Sequence, residues 1–364
     1  MATEIELKLL FQQQNKKSII ELFNHLNDCE AKPLVTLKNK YFDTPGLQLR
    51  HWDMGLRIRQ VGSKREQTIK TAGTVVGGVH NRPEFNVNIE QDFPNLVLFP
   101  CHIWPSNAQV SFVNNDLQCL FSTDFQRLCW HISWNNSLIE VALDVGSIYI
   151  DELNESICEL ELELISGSSE TLITLAEYLL TKIPMRFGQS SKAKRGYALA
   201  AKAGIIRAEN RQQLSDTEKL AHFKEQVSLM INQQDSASYP VRVHECLTAG
   251  LANWLALEEA LGEEEISDSV SRYQLFQQHL KLLQIVFSYI QGLSDEGKAM
   301  FEQLIEAIDE VSFDDEREAE QQQNETNDLI VSAKMASLFS HTDYGNIQLI
   351  LLNNILKSED FLMA

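Results

Sequence analysis

Charged and apolar residues alternate from the first positions of the chain. In Glu4-Ile5-Glu6-Leu7-Lys8-Leu9-Leu10 the charges share one parity and the apolar side chains the other, the period-two pattern of a β-strand with two unlike faces. Residues 35–43, 56–61, 66–71, 79–89, 127–134, 137–144 and 156–165 read as further strands. Thr44-Pro45-Gly46, Gly62-Ser63-Lys64 and Asn135-Asn136 supply turns between them. About eight strands with short connections predict a closed antiparallel barrel, which leaves no free sheet edge. Residues 91–125, with Pro94, Pro100 and Pro105, read as irregular with short helices. Amphipathic helices are expected over 15–27, 170–183 and 190–203.

After residue 203 the strand period disappears. Ser215-Asp216-Thr217-Glu218 is a capping box that opens a helix running to about residue 231. Further helices are expected over 241–261, 269–291, 296–311, 326–338 and 344–356, with Trp254 on an apolar stripe. Residues 314–327 are strongly polar and read as a loop or a solvated helix end. The predicted class is α+β: an eight-stranded antiparallel barrel (a tunnel) with flanking helices over 1–203, then an all-α bundle over 204–364.

Charge sharpens this division. The net charge of −20 splits into −3 for residues 1–205 and −17 for 206–364. The acidic half repels polyanions, which excludes it as a nucleic-acid or polyphosphate surface and leaves a protein partner as its candidate ligand. No apolar run is long enough to span a membrane, and no secretory leader is visible. The six cysteines show no zinc-site spacing, so a cytoplasmic protein with free thiols is expected.

In the first half, charged residues repeat on one parity of each strand, mostly with like sign: Glu4, Glu6 and Lys8; Lys38 and Lys40; Arg57 and Arg59; Arg82 and Glu84; Glu140 and Asp144; Glu159, Glu161 and Glu163. Either these faces point outward over an apolar core, or the lumen itself is charged. Rows of like charge repel one another, which favours bound counter-ions and hence a charged lumen. Hard carboxylate oxygens suit Mg²⁺ or Mn²⁺, and guanidinium groups suit phosphate. A cavity with acid on one side and base on the other fits a metal-chelated polyphosphate.

The ordered residues resemble the CYTH superfamily, the triphosphate tunnel metalloenzymes. The likeness runs through Glu4-Ile5-Glu6-Leu7-Lys8, Tyr41-Phe42-Asp43-Thr44, Leu56-Arg57-Ile58-Arg59, Thr68-Ile69-Lys70-Thr71 and the Arg82/Glu84 pair. It continues through Arg127, Asp144, the Glu159 to Glu163 run and Ser191-Lys192-Ala193-Lys194-Arg195-Gly196-Tyr197. The resemblance implies an eight-stranded tunnel that hydrolyses or rearranges triphosphates. It places Glu4, Glu6, Glu84, Asp144, Glu159, Glu161 and Glu163 toward metal. It places Lys8, Lys40, Arg57, Arg59, Lys70, Arg82, Arg127, Lys192 and Lys194 toward phosphate, with Glu4, Glu6 and Lys8 as the catalytic set. Asn86 departs from members with a second acid two residues after Glu84.

Within the family, the two-domain layout is closest to bacterial inorganic triphosphatases, whose helical region is of the CHAD type. Residues 204–364 are then a degenerate CHAD-like region or an unrelated bundle. The expected activity is hydrolysis of inorganic triphosphate to diphosphate and phosphate. The alternatives are a nucleoside or thiamine triphosphatase, a class IV adenylate cyclase, or a non-catalytic polyphosphate-binding or scaffold module.

Overall fold

A computed structural model describes residues 2–76, 79–206, 214–234, 238–261, 269–290, 293–310 and 320–357. Eight strands form the barrel: β1 (Ala2–Phe11), β2 (Val35–Asp43), β3 (Gly55–Val61), β4 (Lys64–Lys70), β5 (Val79–Ile89), β6 (Gln118–Trp134), β7 (Ser137–Ile150) and β8 (Leu153–Ser166). Their order is β1-β8-β7-β6-β2-β3-β4-β5, and pairing of β5 with β1 closes the ring. The pairings within the ring are antiparallel. Asn135 and Asn136 both adopt positive φ, 46° and 63°, as a two-residue turn matched to strand twist requires.

Besides short helical turns at Gln48–His51 and Val110–Asn115, three longer helices are interspersed with this sheet in sequence: α1 (Lys16–Asn24), α2 (Glu170–Leu180) and α3 (Lys192–Lys202). The chain divides into two compact units. The first holds Met1–Leu10, Ile20–Leu172 and Ser190–Asn210; the second holds Phe11–Ile19, Ile173–Gln189 and Arg211–Ala364.

In the first unit the hydrophobic core lies largely outside the barrel. Leu7, Leu9, Val141, Leu160 and Leu162 take the outward parity and are buried. Phe23 of α1 stacks on the outward Trp130 with ring centroids 4.8 Å apart. Leu56, Ile58 and Ile69 are covered by the segment that carries Leu96, Phe99 and Leu117. Gln67 pins that cover through its side chain, donating to Asn95 O at 2.9 Å and accepting from Asn95 N at 2.8 Å. With apolar side chains packed outside, the charged parity is left for the lumen.

Two strands are longer than their sequence pattern suggests. β6 begins at Gln118, inside the stretch expected to be irregular, and β7 runs on to Ile150. The added part of β6 carries Phe121, Thr123 and Phe125 on the lumen parity and Ser122, Asp124 and Gln126 on the other, so the alternation is inverted relative to the other strands, with apolar side chains inward.

The second unit is helical: α4 (Asp216–Asn232), α5 (Tyr239–Leu261), α6 (Ser269–Ser288), α7 (Asp295–Asp309), α8 (Glu320–Leu338) and α9 (Thr342–Lys357). The capping box at Ser215 and Glu218 is formed. Trp254 is fully buried, and its Nε1 donates to Tyr344 Oη at 2.8 Å. That hydroxyl donates to Glu258, which also accepts from Gln348 and Arg186. Of the polar run over 314–327, residues 314–319 lie outside the described residues, and the chain is helical from Glu320. Among the described residues, no helix is long and apolar enough to cross a membrane.

Candidate active site in the barrel lumen

β1 sets the pattern of the lumen. Leu7 and Leu9 point out, so Glu4, Glu6 and Lys8 point in. Lys8 is buried between two carboxylates of β8, 3.4 Å from Glu159 and 3.6 Å from Glu161. The neighbouring strands keep this register: Glu6 lies opposite Glu163, Glu159 opposite Asp144, and Arg127 opposite Asp144. Across the ring, Lys70 lies opposite Glu84, and Glu4 opposite Arg82.

The carboxylates fall into two groups. The deep group is Asp144, Glu159 and Glu161, whose oxygens lie within 4.8 Å of one another. The ammonium of Lys192, at the start of α3, sits among them at 2.7, 2.7 and 2.8 Å. Arg127 grips Asp144 with two bonds of 2.7 and 2.6 Å and reaches Glu161 at 2.6 Å. Burial alone would favour neutral carboxyls here. The cations outweigh it: Lys192, Lys8 and Arg195 hold Glu159 at about 2, and Lys192, Arg127 and Lys8 hold Glu161 well below the ordinary range.

The second group is Glu4, Glu6, Glu84 and Glu163. Lys70 bridges Glu4 at 2.5 Å and Glu84 at 2.9 Å. Burial works to raise Glu84, but Lys70 and Arg57 hold it at about 2. Glu4 goes the other way. Burial first, then repulsion from Glu6 and Glu84, lifts it to about 8 against the pull of Lys70. Burial and the charges of Glu140 and Glu6 lift Glu163 to about 6. This group holds more negative charge than its resident cations balance.

An opposite imbalance lies beside it. Arg57, Arg59 and Arg127 converge, and burial together with repulsion from the other two lowers Arg59 to about 9. Arg59 Nε donates to Asn39 Oδ1 at 2.9 Å, whereas the buried Arg57 Nε meets no acceptor. A buried guanidinium N–H without an acceptor is costly, and an anion in the lumen would satisfy it.

Residues 2–197 match the CYTH domain family, a span of more than half the chain. This chain belongs to that family. An inorganic triphosphatase of Haemophilus influenzae is 39% identical over 207 residues, covering 56% of each protein. The chain thus spans a little over half the length of that curated relative. A putative adenylyl cyclase from Hippeastrum, whose structure is described as revealing a dominant triphosphatase activity, is 17% identical with a TM-score of 0.39. That match covers 55% of this chain and 96% of that one. A putative adenylate cyclase from Bacillus halodurans is 20% identical with a TM-score of 0.33, covering 50% and 90%. Family membership rests on the sequence match.

This CYTH domain does not bring every expected residue into the lumen. Lys40 takes the outward parity, is 47% exposed and pairs with Asp92. On β2 the inward residues are Leu37, Asn39 and Tyr41, because Lys38 and Lys40 alternate with a buried, uncharged parity instead of forming the lumen face. Lys194 is exposed on α3, one side round from Lys192. Arg82 shares the parity of Glu84 but donates from Nε to Thr71 O at 3.0 Å. Asn86 bridges Thr68 at 2.7 Å and Glu84 at 3.0 Å, which fixes the one acid on that strand segment.

Arg195 has no role in the sequence reading, yet it is central here. Its guanidinium donates to Glu155 at 2.6 Å, to Glu159 at 2.5 Å and to the Ser156 carbonyl. The available signal was its i+3 spacing from Lys192, which puts both on one face of α3. Asp43 and Tyr197, which carry part of the resemblance, meet at 3.0 Å. Asp43 also caps the backbone N–H groups of Thr44, Leu49 and Arg50 and so fixes the turn after β2.

Proposed function

We propose that the lumen hydrolyses inorganic triphosphate to diphosphate and phosphate with Mg²⁺ or Mn²⁺. One observation carries this reading: unbalanced acid, with Glu4 raised to about 8, lies beside unbalanced base, with Arg59 lowered to about 9 and Arg57 Nε without an acceptor. A metal–triphosphate complex relieves both at once. The 39% identity to the Haemophilus influenzae inorganic triphosphatase supports the choice of substrate.

Glu4, Glu6, Glu84 and Glu163 would hold the cation first, since they are hard oxygen donors and, among them, Glu4 and Glu163 are pushed up by burial and by neighbouring carboxylates. The deep triad has suitable spacing but already contains the Lys192 ammonium, so a cation there must displace it. When bound, the ion supplies charge to phosphate oxygens and lowers the pKa of a coordinated water. Lys8, Arg57, Arg59, Lys70, Arg127 and Lys192 orient the phosphates and offset charge that develops on the leaving diphosphate. Water oxygen bonds to the terminal phosphorus, the bridging P–O bond breaks, the diphosphate departs with that bridging oxygen, and the proton lost by water goes to solvent. The described cysteines are all free, in keeping with a reducing cytoplasm.

The test is a panel of inorganic triphosphate, ATP, GTP and thiamine triphosphate with Mg²⁺ or Mn²⁺, read as phosphate, diphosphate and cyclic nucleotide. Triphosphate turned over with the highest kcat/KM supports the reading. Cyclic AMP as the main product, or tight triphosphate binding without turnover under any metal, overturns it.

A further inference from the structure

We infer that Cys129, His131 and Glu140 form a further cation site in the barrel, for a borderline-soft divalent ion such as Zn²⁺, and that an ion held there opposes Mg²⁺ at Glu163. The site itself stands on geometry; its opposition to Mg²⁺ rests on the proposed function.

Two neighbouring strands build the site. Trp130 and Ile132 of β6 are buried on the outward parity, so Arg127, Cys129 and His131 face the lumen. On β7 the residues directly opposite them are Asp144, Ala142 and Glu140. Arg127 is committed to Asp144 and Glu161. The next pair along differs. Ala142 is too short to cover the Cys129 thiol, and the Glu140 carboxylate reaches it instead, with Sγ 4.0 Å from Oε1. The other oxygen of that carboxylate lies 3.0 Å from His131 Nε2. One carboxylate therefore meets a sulfur donor and a nitrogen donor at once.

Thiolate, imidazole and carboxylate make a donor set for zinc, and the first two separate it from the all-oxygen group proposed for Mg²⁺ or Mn²⁺. The spacing is close to what that ion needs. Zn–S of about 2.3 Å and Zn–N or Zn–O of about 2.0 Å place sulfur about 3.5 Å, and nitrogen about 3.3 Å, from a carboxylate oxygen round a tetrahedral ion. The ion takes the place of the protons in the two contacts, and the thiol turns inward about its one side-chain bond to complete the set. His131 and Glu140 are 31% and 28% exposed, so ions reach them from solution. The sequence hides this site. Residues two apart share a face of a strand, and the third donor comes from the hairpin partner, so no familiar zinc spacing marks it.

Position gives the site its consequence. Glu140 lies opposite Glu163 of β8, and paired strands are about 4.8 Å apart. A dication on Glu140 thus stands one strand away from a carboxylate of the Mg²⁺-binding group, where like charges repel. Zinc loading then lowers Mg²⁺ occupancy, and triphosphate turnover with it.

The experiment titrates Co²⁺ and then Zn²⁺ into the reduced full-length protein without substrate. Bound Co²⁺ is expected to show the near-ultraviolet charge-transfer band of a cobalt–thiolate bond, and Zn²⁺ to bleach it. By calorimetry the tightest Zn²⁺ site should weaken by at least about 100-fold in Cys129→Ser and in His131→Ala, both melting within a few degrees of the parent. Absence of the band in the parent, its persistence in Cys129→Ser, or Zn²⁺ affinity unchanged in both variants would overturn the site. In the activity assay with Mg²⁺, Cys129→Ser should match the parent within about twofold without zinc and need at least about tenfold more Zn²⁺ for half-inhibition. Equal inhibition of the two proteins would overturn the opposition to Mg²⁺. A parent that never hydrolyses triphosphate removes the proposed function, and the cobalt and zinc titrations still decide the site.

Discussion

Two groups of carboxylates share one lumen and differ in how their charge is met. Asp144, Glu159 and Glu161 share the Lys192 ammonium, and Arg127 and Lys8 reach into the same cluster; against their burial, these cations hold Glu159 at about 2 and Glu161 well below the ordinary range. Glu4, Glu6, Glu84 and Glu163 have Lys70 among them, and Glu4 and Glu163 are raised to about 8 and about 6, above the usual carboxylate range. The first group is built to position cationic side chains. The second is built to take up a cation from solution. Burial alone does not separate them, because the fully buried Glu159 lies at about 2 while the less buried Glu4 lies at about 8; the partners decide.

The largest expected effect breaks the second group. Glu6→Gln should lower metal-dependent phosphate release by about 10²–10³-fold, the scale of losing about 2.7–4 kcal/mol of transition-state stabilisation. Thermal melting should stay within a few degrees of the parent protein; near-full activity would remove Glu6 from the machinery.

Breaking the first group should cost stability as well, because its carboxylates share one ammonium. Lys192→Ala leaves three buried carboxylates without their shared ammonium, and removal of one partner from such a cluster costs on the order of 3 kcal/mol. A drop of several degrees in melting temperature, measured without metal, is the expected sign.

A pH series sharpens the comparison. Glu4 is raised from an ordinary 4.5 to about 8, and Glu163 to about 6. The folded protein thus binds these protons more tightly than the unfolded chain. Their contribution to stability is fully present below about pH 4.5 and is lost as pH rises through 6 and then 8. The metal-free protein should melt at lower temperature at pH 8 than at pH 6. Added Mg²⁺ should raise the melting temperature more at pH 8, where the ligands are deprotonated. A metal shift of equal size at both pH values would contradict the assignment.

The smallest effect is expected at Lys40. It is exposed and paired with Asp92 outside the barrel, so Lys40→Ala should change kcat/KM by less than about twofold, as surface ion pairs contribute little.

Much of this was legible in the sequence because the barrel inverts the common pattern. Charges repeat at alternate positions with the apolar parity packed outside, so β1, β3 and β8 show both faces plainly. The parity rule failed at β2, where Lys38 and Lys40 mimic a lumen pair while uncharged Asn39 points inward to Arg59 and Thr123. It also hid the start of β6, whose inward Phe121 and Phe125 belong to an apolar cluster with Leu37, Ile148 and Ile157. The division between satisfied and unsatisfied carboxylates could not be read from the strands at all. It depends on Lys192 and Arg195, which arrive from a helix that follows the last barrel strand in sequence and carry no strand periodicity.

The most direct test is Mn²⁺ affinity of the full-length protein at pH 7.5, measured by calorimetry without substrate for the parent, Glu4→Gln and Asp144→Asn. The first tight site should weaken by at least about 100-fold in Glu4→Gln and by less than about fivefold in Asp144→Asn. The opposite ranking would place the first metal in the deep triad, with Lys192 displaced, and would contradict the division of the lumen drawn from its charges.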